Sequence, residues 1–444
     1  MQPGRDLSDL GIINPFPSGG VAALSDRAAL PPLQNEDPRT PPNKRKVGIL
    51  MSTDSETSVM GGILKRTYAT VFYENWPLGL GGLLIGIMSV LTFAWARPWG
   101  VVGGLREWAD LFFNWVGLYS QAPPSLFLST NSILTLGLLW GAFGAALLSK
   151  QFAIRMAPGR ELIKGIVGGC FLGVGSALAG GCNVGGFYMA TSALSLAGPA
   201  MMIGLIAGAY LGLRYLYWEM AHLPSKPTKG GSGNKGLLNL EPYLGALVFL
   251  GALVAAWFYA REAYTRVGGL LLCGIAFGII IQRTRFCFVR CFRDPFMTGE
   301  GDMVRAVTYS IIISILGFAA LKWTGLRGDE VYVTQTFWFG SLVGGIVFGF
   351  GMLISGGCGS GSVWRAGEGH VKLMVVVVFF ALSNSLSKVW IESSAAFKAL
   401  IGHRVFLPDY LGYFWAVIIL LAIFAVYSLA ATWNEETDKF TVEL

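Results

Sequence analysis

Two stretches set a cysteine among glycines inside apolar surroundings, "AGGCNVGG" at 179–186 and "SGGCGSGS" at 355–362. Paired glycines hold a helix poorly, and backbone groups freed in an apolar medium are costly unless they face protein or line a cavity. The chain after each break can restart as a half-helix, whose N-terminus presents N–H groups and a positive dipole end to an anion. A thiol is a small, polarizable, weak donor that suits a soft sulfur or selenium atom better than a hard phosphate oxygen. One such cysteine alone would read as a buried packing residue. Two in matched breaks point to a pathway through Cys182 and Cys358, bounded by Gly180, Gly181, Gly356, Gly357 and Asn183. At the ordinary cysteine pKa of about 8.5 such thiols are neutral at pH 7 and do not repel an anion.

A second cluster is "QRTRFCFVRCFRDPFMTGEGDM" at 282–303. Cys287 and Cys291 are one helical turn apart, among Arg283, Arg285, Arg290, Arg293 and Asp294. Positive charge there attracts an anion and favours a thiolate, or else fixes the chain's orientation in a bilayer. Two thiols with only Met297 and Met303 nearby make a poor Cu(I) site. The histidines, His222, His370 and His403, fall outside the apolar runs, so neither a metal nor a cofactor is expected. "VWRAGEGH" at 363–370 follows Cys358, and pairing of Arg365 with Glu368 as a gate is the expectation there. Cys170 and Cys273 sit inside helical runs and read as packing.

The elements that must position these residues are membrane helices. The chain has 444 residues, 53% hydrophobic and 13% charged, where a soluble protein carries about 25% charge. Its mean hydropathy is +0.56. Apolar runs long enough to span a bilayer are expected at 78–96, 132–149, 165–182, 197–217, 243–260, 267–282, 304–321, 337–357, 372–390 and 411–431. Segment 99–118 mixes aromatics with Arg106, Glu107 and Asp110 and reads as interfacial or re-entrant. The net charge of +7 belongs to loops facing the cytoplasm rather than to nucleic-acid binding. With the N-terminus on side A, that side carries the larger share of Lys and Arg, which places both termini in the cytoplasm.

The chain also repeats itself. "VGGCFLGVGSALAGGCNVGG" (167–186) overlays "VGGIVFGFGMLISGGCGSGS" (343–362), matching the cysteine as well as the glycines. A fainter match joins "GGLLIGI" (81–87) to "GLLLCGI" (269–275). An odd number of spans separates each pair, so the halves are inverted. The fold expected is an all-α polytopic membrane protein, an inverted repeat of about ten helices, some of them broken. Its parts are a disordered tail at 1–70 with Met51 as an alternative start, a first repeat at 71–218 and a linker at 219–242. A connecting helix at 243–266, a second repeat at 267–432 and a tail at 433–444 follow.

"GGCNVGGFYMA", "FCFVRCFRDPFMTG" and "GGCGSGSVWRAGEG" resemble the sulphur-transport (YeeE/YedE-type) membrane family over residues 76–432. The resemblance implies uptake of a small sulfur anion, typically thiosulfate, across the bacterial inner membrane. It implies that Cys182, Cys287 and Cys358 engage the substrate's sulfur in turn; beside them the residues themselves place Cys291 on the pathway and Arg285, Arg290, Arg293, Arg365 and Glu368 at a charged mouth. Thiosulfate-importing members can carry a further early cysteine; Trp99 or Gly100 stands in its place here. "RDPFMTG" and "RAGEG" are similar to a branch associated with selenium, so a selenium anion is the alternative substrate. A thiol–persulfide relay enzyme is the alternative from another class, and a cytoplasmic sulfur-carrier protein is the protein partner the resemblance allows, beside the lipid bilayer.

Overall fold

Leu78–Trp95 (α1) begins behind Pro77 and Gly159–Leu178 (α4) behind Pro158, proline being a residue that helices accept at their start and not within. Thr130–Leu148 (α3) is capped by Ser129, whose hydroxyl accepts the N–H of Asn131 at 3.2 Å. The computed structural model describes residues 66–120, 122–223 and 240–442, nearly all of them helix or the short turns between helices. The expected tail up to residue 65, and the Gly/Lys/Ser stretch at 225–236, lie outside the described residues.

The first repeat continues with Val102–Trp115 (α2) and Ala197–His222 (α5). Between α4 and α5 stands a short helical segment, π-helical at Asn183–Met189 and continued by Ala190–Ser192. Glu241–Arg261 (α6) leads to the second repeat: Thr265–Thr284 (α7), Phe288–Met297 (α8), Asp302–Trp323 (α9), Phe339–Ser355 (α10), Gly359–Gly367 (α11) and Val371–Ser393 (α12). Ala395–Ile401 (α13) and Leu407–Thr437 (α14) close the chain. Among the described residues ten helical stretches are long and apolar enough to cross a membrane. The 14 residues of α2 reach only about 21 Å, short of a hydrocarbon core of ~30 Å, as expected of a re-entrant segment. Two expected spans end earlier, at the breaks: 165–182 stops at Leu178, and 337–357 at Ser355.

The glycines report how the repeats fit. A Cβ on Gly168 of α4 would lie 2.7 Å from Ser355 of α10; one on its repeat mate Gly344 would lie 2.6 Å from Ala179, the mate of Ser355. Gly175 likewise meets Phe348, and its mate Gly351 meets Leu172, the mate of Phe348. Contacts are thus exchanged between equivalent residues, the mark of a twofold axis. Residue numbers rise along α4 as they fall along α10, so the two equivalent helices are antiparallel and the repeats are inverted. The flanking contacts obey the same axis. Gly169 and Gly173 seat α4 against α12, and Gly345 and Gly349 seat α10 against α5. Gly137 and Gly141 hold α3 on α7, and Gly82 and Gly86 hold α1 on α9. Between membrane helices, where lipid is as apolar as any side chain, such small-residue seams supply the close packing that holds helices together. α6 and α14 lie outside this frame and expose most of their leucine and aromatic side chains, a surface suited to lipid.

Candidate functional site

Both breaks are built alike. α4 ends at Gly180 with φ +72° and α10 at Gly356 with φ +76°, a left-handed conformation that glycine adopts without a Cβ penalty. The second glycine serves close approach: a Cβ on Gly181 would lie 2.5 Å from the Gly186 nitrogen, and one on Gly357 2.6 Å from Ser362 Oγ. The cysteine then caps the restarting helix. Cys182 Sγ accepts the N–H of Val184 at 3.4 Å, and Cys358 Sγ accepts that of Gly361 at 3.3 Å. Each thiol is thereby held at the positive end of a short helix.

The twofold axis brings the breaks together. A Cβ on Gly359, the residue after Cys358, would lie 3.1 Å from Cys182 Sγ. One on Gly361 would lie 3.0 Å from Cys358 Sγ and 3.9 Å from Cys287 Sγ, so the two thiols stand beside the same glycine. Cys182, Cys358 and Cys287 therefore form a row of free thiols from three elements, exposed by only 1%, 0% and 2%. Cys291 is not part of the row: its sulfur lies 3.9 Å from the Tyr427 hydroxyl on α14. Cys170 and Cys273 are half-buried elsewhere on α4 and α7.

The Cys182 end opens into a cavity of about 280 Å³, lined by Gly180, Gly181, Cys182, Gly185, Thr334 and Tyr332, and by the cations Arg97, Arg106 and Lys388. Arg106 and Lys388 have loose carboxylate partners, Asp110 at 3.8 Å and Glu392 at 3.2 Å. Among the described residues the Arg97 guanidinium meets neutral groups: Tyr332 Oη at 3.0 Å, Thr130 Oγ1 and the Pro98 carbonyl at 3.4 Å, and Asn131 Oδ1, whose amide nitrogen donates in turn to Glu107 at 2.6 Å. None of these three cations stood out as a site residue by spacing. A signal was present for one, because the shift that joins 81–87 to 269–275 also joins Arg97 to Arg285.

The far end of the row is closed. Arg285, in a left-handed conformation at the C-cap of α7, donates to Glu368 Oε1 at 2.7 Å and to Gln151 Oε1 at 2.5 Å. Gln282 bridges both acceptors, at 3.0 and 2.9 Å. The expected Arg365–Glu368 gate is corrected here. Arg365 donates instead to the Gly356 carbonyl at 3.1 Å, because α11 carries its guanidinium back along its own first turns. Arg285 and Arg365 flank the Trp364 ring at 5.4 and 5.1 Å, within cation–π range. Arg290 and Arg293 are both taken up by the buried carboxylate of Asp294, each at 2.7 Å. Their charge is largely offset there, so they add less to this end than their number implies. Among the described residues no cluster of three or more His, Cys, Asp or Glu could hold a metal.

An inverted repeat of membrane helices, with thiols at two central breaks and cations at one mouth, defines a multi-pass membrane transporter. The chain belongs to the sulphur-transport family, whose model matches residues 52–211 and 283–443, most of each repeat. It is similar to the probable transporter YedE of Escherichia coli, 28% identical over 304 residues, 64% of this chain and 74% of that protein. It is also similar to the thiosulfate transporter TsuA of Escherichia coli, 32% identical over 118 residues, 27% of this chain and 33% of the relative. With TsuA of Spirochaeta thermophila it shares 31% over 134 residues, 29% and 40% of the two chains. Family and relatives are transporters, not enzymes.

Proposed function

We propose that the protein carries a small sulfur oxyanion, thiosulfate foremost, across the bacterial inner membrane into the cytoplasm, with both termini on the cytoplasmic side. The observation that carries this reading is the row Cys182, Cys358, Cys287 between a cationic cavity and a closed end. The anion is drawn to the cavity by Arg97, Arg106 and Lys388. It gives up water at Cys182, where a neutral S–H donates to its terminal sulfur, and passes to Cys358 and Cys287 by exchange of like contacts. No covalent bond to protein forms. The Arg285–Glu368 pair closes the path beneath Cys287, and the arriving anion competes with the Glu368 carboxylate for the Arg285 guanidinium.

Uptake of labelled thiosulfate by cells expressing Cys182→Ala, Cys287→Ala or Cys358→Ala tests the reading. Each removes one S–H donor to a charged group, a loss of about tenfold or more in rate. Uptake equal to wild type in all three variants would overturn it.

A selenium oxyanion is the second reading. It is favoured by Trp99, which fills the position equivalent to Cys287 and so leaves the row without the further thiol that thiosulfate importers can carry. Selenite that competes with thiosulfate at equal or lower concentration supports this reading; absence of competition removes it.

A further inference from the structure

The thiols account for the sulfur end of a sulfur oxyanion, and along the row between the cationic cavity and Arg285 its oxygens need donors of another kind. Two side chains in the half-helices are suited to them. Asn183, next to Cys182, is wholly buried, and neither its amide nitrogen nor its amide oxygen has a hydrogen-bond partner. Ser362, one turn beyond Cys358 and on the same helix face, is wholly buried with an unpartnered hydroxyl. Buried polar groups nearly always find partners, so each exception asks for a reason. A structural explanation would have to hold for both repeats, and it does not. The repeat mate of Asn183 is Gly359, pressed against the Cys182 thiol, and the mate of Ser362 is Gly186, pressed against Met201 Sδ. Packing thus demands glycine in one copy at each position, and the other copy carries an unpartnered polar side chain. The polar groups break the symmetry that the thiols and glycines keep. An anion with a sulfur at one end and oxygens at the other breaks it in the same way.

We propose that Asn183 and Ser362 form an oxygen-binding subsite beside the thiol row, so that the site selects an anion carrying both a terminal sulfur and S–O oxygens. The Asn183 Nδ2–H and Ser362 Oγ–H donate to substrate oxygens while a cysteine S–H meets the terminal sulfur. The inference rests on the transport reading above and narrows its substrate class.

The test uses the full chain in proteoliposomes, with labelled thiosulfate as the probe. Asn183→Leu and Ser362→Ala each remove one donor to a charged group, which raises the thiosulfate KM about tenfold and leaves the maximal rate within about twofold. Asn183→Asp puts a carboxylate where oxygens bind, and uptake falls below that of Asn183→Leu. Ser362→Thr, which keeps the hydroxyl, recovers most of the affinity lost in Ser362→Ala. A role in folding alone predicts the reverse: lower thermal stability and a lower maximal rate at unchanged KM. The inference is overturned if KM stays within twofold of wild type in both Asn183→Leu and Ser362→Ala. If Cys358→Ala is impaired while these two are not, only the oxygen subsite fails. If wild-type vesicles take up no thiosulfate, the transport reading fails with it.

Discussion

Arg97 and Arg285 occupy equivalent positions in the two repeats, yet the two ends of the thiol row differ. Each guanidinium reaches, in the opposite repeat, the loop that joins the second and third full-length helices. Arg285 meets Gln151 between α3 and α4, and Arg97 meets Tyr332 between α9 and α10. At the Arg285 end a buried carboxylate, Glu368, completes the contact; the residue equivalent to Glu368 in the first repeat is Ser192. At the Arg97 end neutral groups complete it. One arginine is therefore neutralised and locked, and the other is left as a positive lining of an open cavity. On the transport reading, the inverted repeat supplies two similar gates, and a single carboxylate, Glu368, distinguishes them. A second asymmetry runs the same way. Cys287 lies beside Cys358, whereas its counterpart Trp99 is wholly buried, stacked on Phe277 at 4.3 Å and bonded to Ser89 at 2.8 Å. The row thus runs from Cys182 at the open cavity to Cys287 at the closed end, and an aromatic wall stands in place of a fourth thiol.

Glu368→Gln is the sharpest way to break this contrast. The amide can keep its contact with Gln282 and loses the charge that holds Arg285. Breaking a fully buried ion pair costs about 3–5 kcal/mol; with the Arg285 side chain 33% exposed, ~2 kcal/mol is the fitting figure. The closed state is then less favoured by roughly thirtyfold. Vesicles preloaded with labelled thiosulfate should leak at least several-fold faster than wild type when no substrate is present outside. Leakage unchanged from wild type would mean that Glu368 does not hold the gate.

Arg97→Ala addresses the open end and should act on capture rather than on closure. Removing one cation from a mouth that retains two weakens the attraction of an anion without touching the thiols. A rise in thiosulfate KM of about fivefold to tenfold is expected, with an unchanged maximal rate and a shallower dependence on ionic strength. A fall in maximal rate at constant KM would assign Arg97 to the gate instead, and the two ends would then be alike.

The contrast between the ends was only partly legible in the sequence. Apolar run length revealed nearly every span, and the paired "GGC" revealed the repeat, because both follow from local chemistry: hydropathy sustained over a bilayer, and a glycine that must take φ > 0. Pairing across the fold was harder. Arg365 and Glu368 are close in sequence and face different partners, since the carboxylate's partner Arg285 comes from the end of α7, 83 residues earlier in the chain. Cys291 shares a helix with Cys287, yet its partner is supplied by α14, far along the chain. Arg97 carried no local motif at all. Only its register against Arg285 marks it, and that register becomes meaningful once the twofold axis is known.

The smallest expected effect tests that register. Tyr332→Phe removes the hydroxyl that accepts from Arg97 at 3.0 Å and leaves the ring, which lies 6.0 Å from the guanidinium. The arginine keeps its contact with Asn131, so its charge stays in the cavity and only its direction is loosened. One hydrogen bond to a partly exposed charged group is worth about 1 kcal/mol or less, a change in KM of about twofold to fivefold. If Tyr332 only positions Arg97, the double variant Tyr332→Phe/Arg97→Ala should match Arg97→Ala alone, because there is nothing left to position. Additive losses in the double variant would instead show Tyr332 meeting the anion itself. The α9–α10 loop would then be part of the binding surface, whereas its twofold counterpart around Gln151 is held by Arg285 and Gln282.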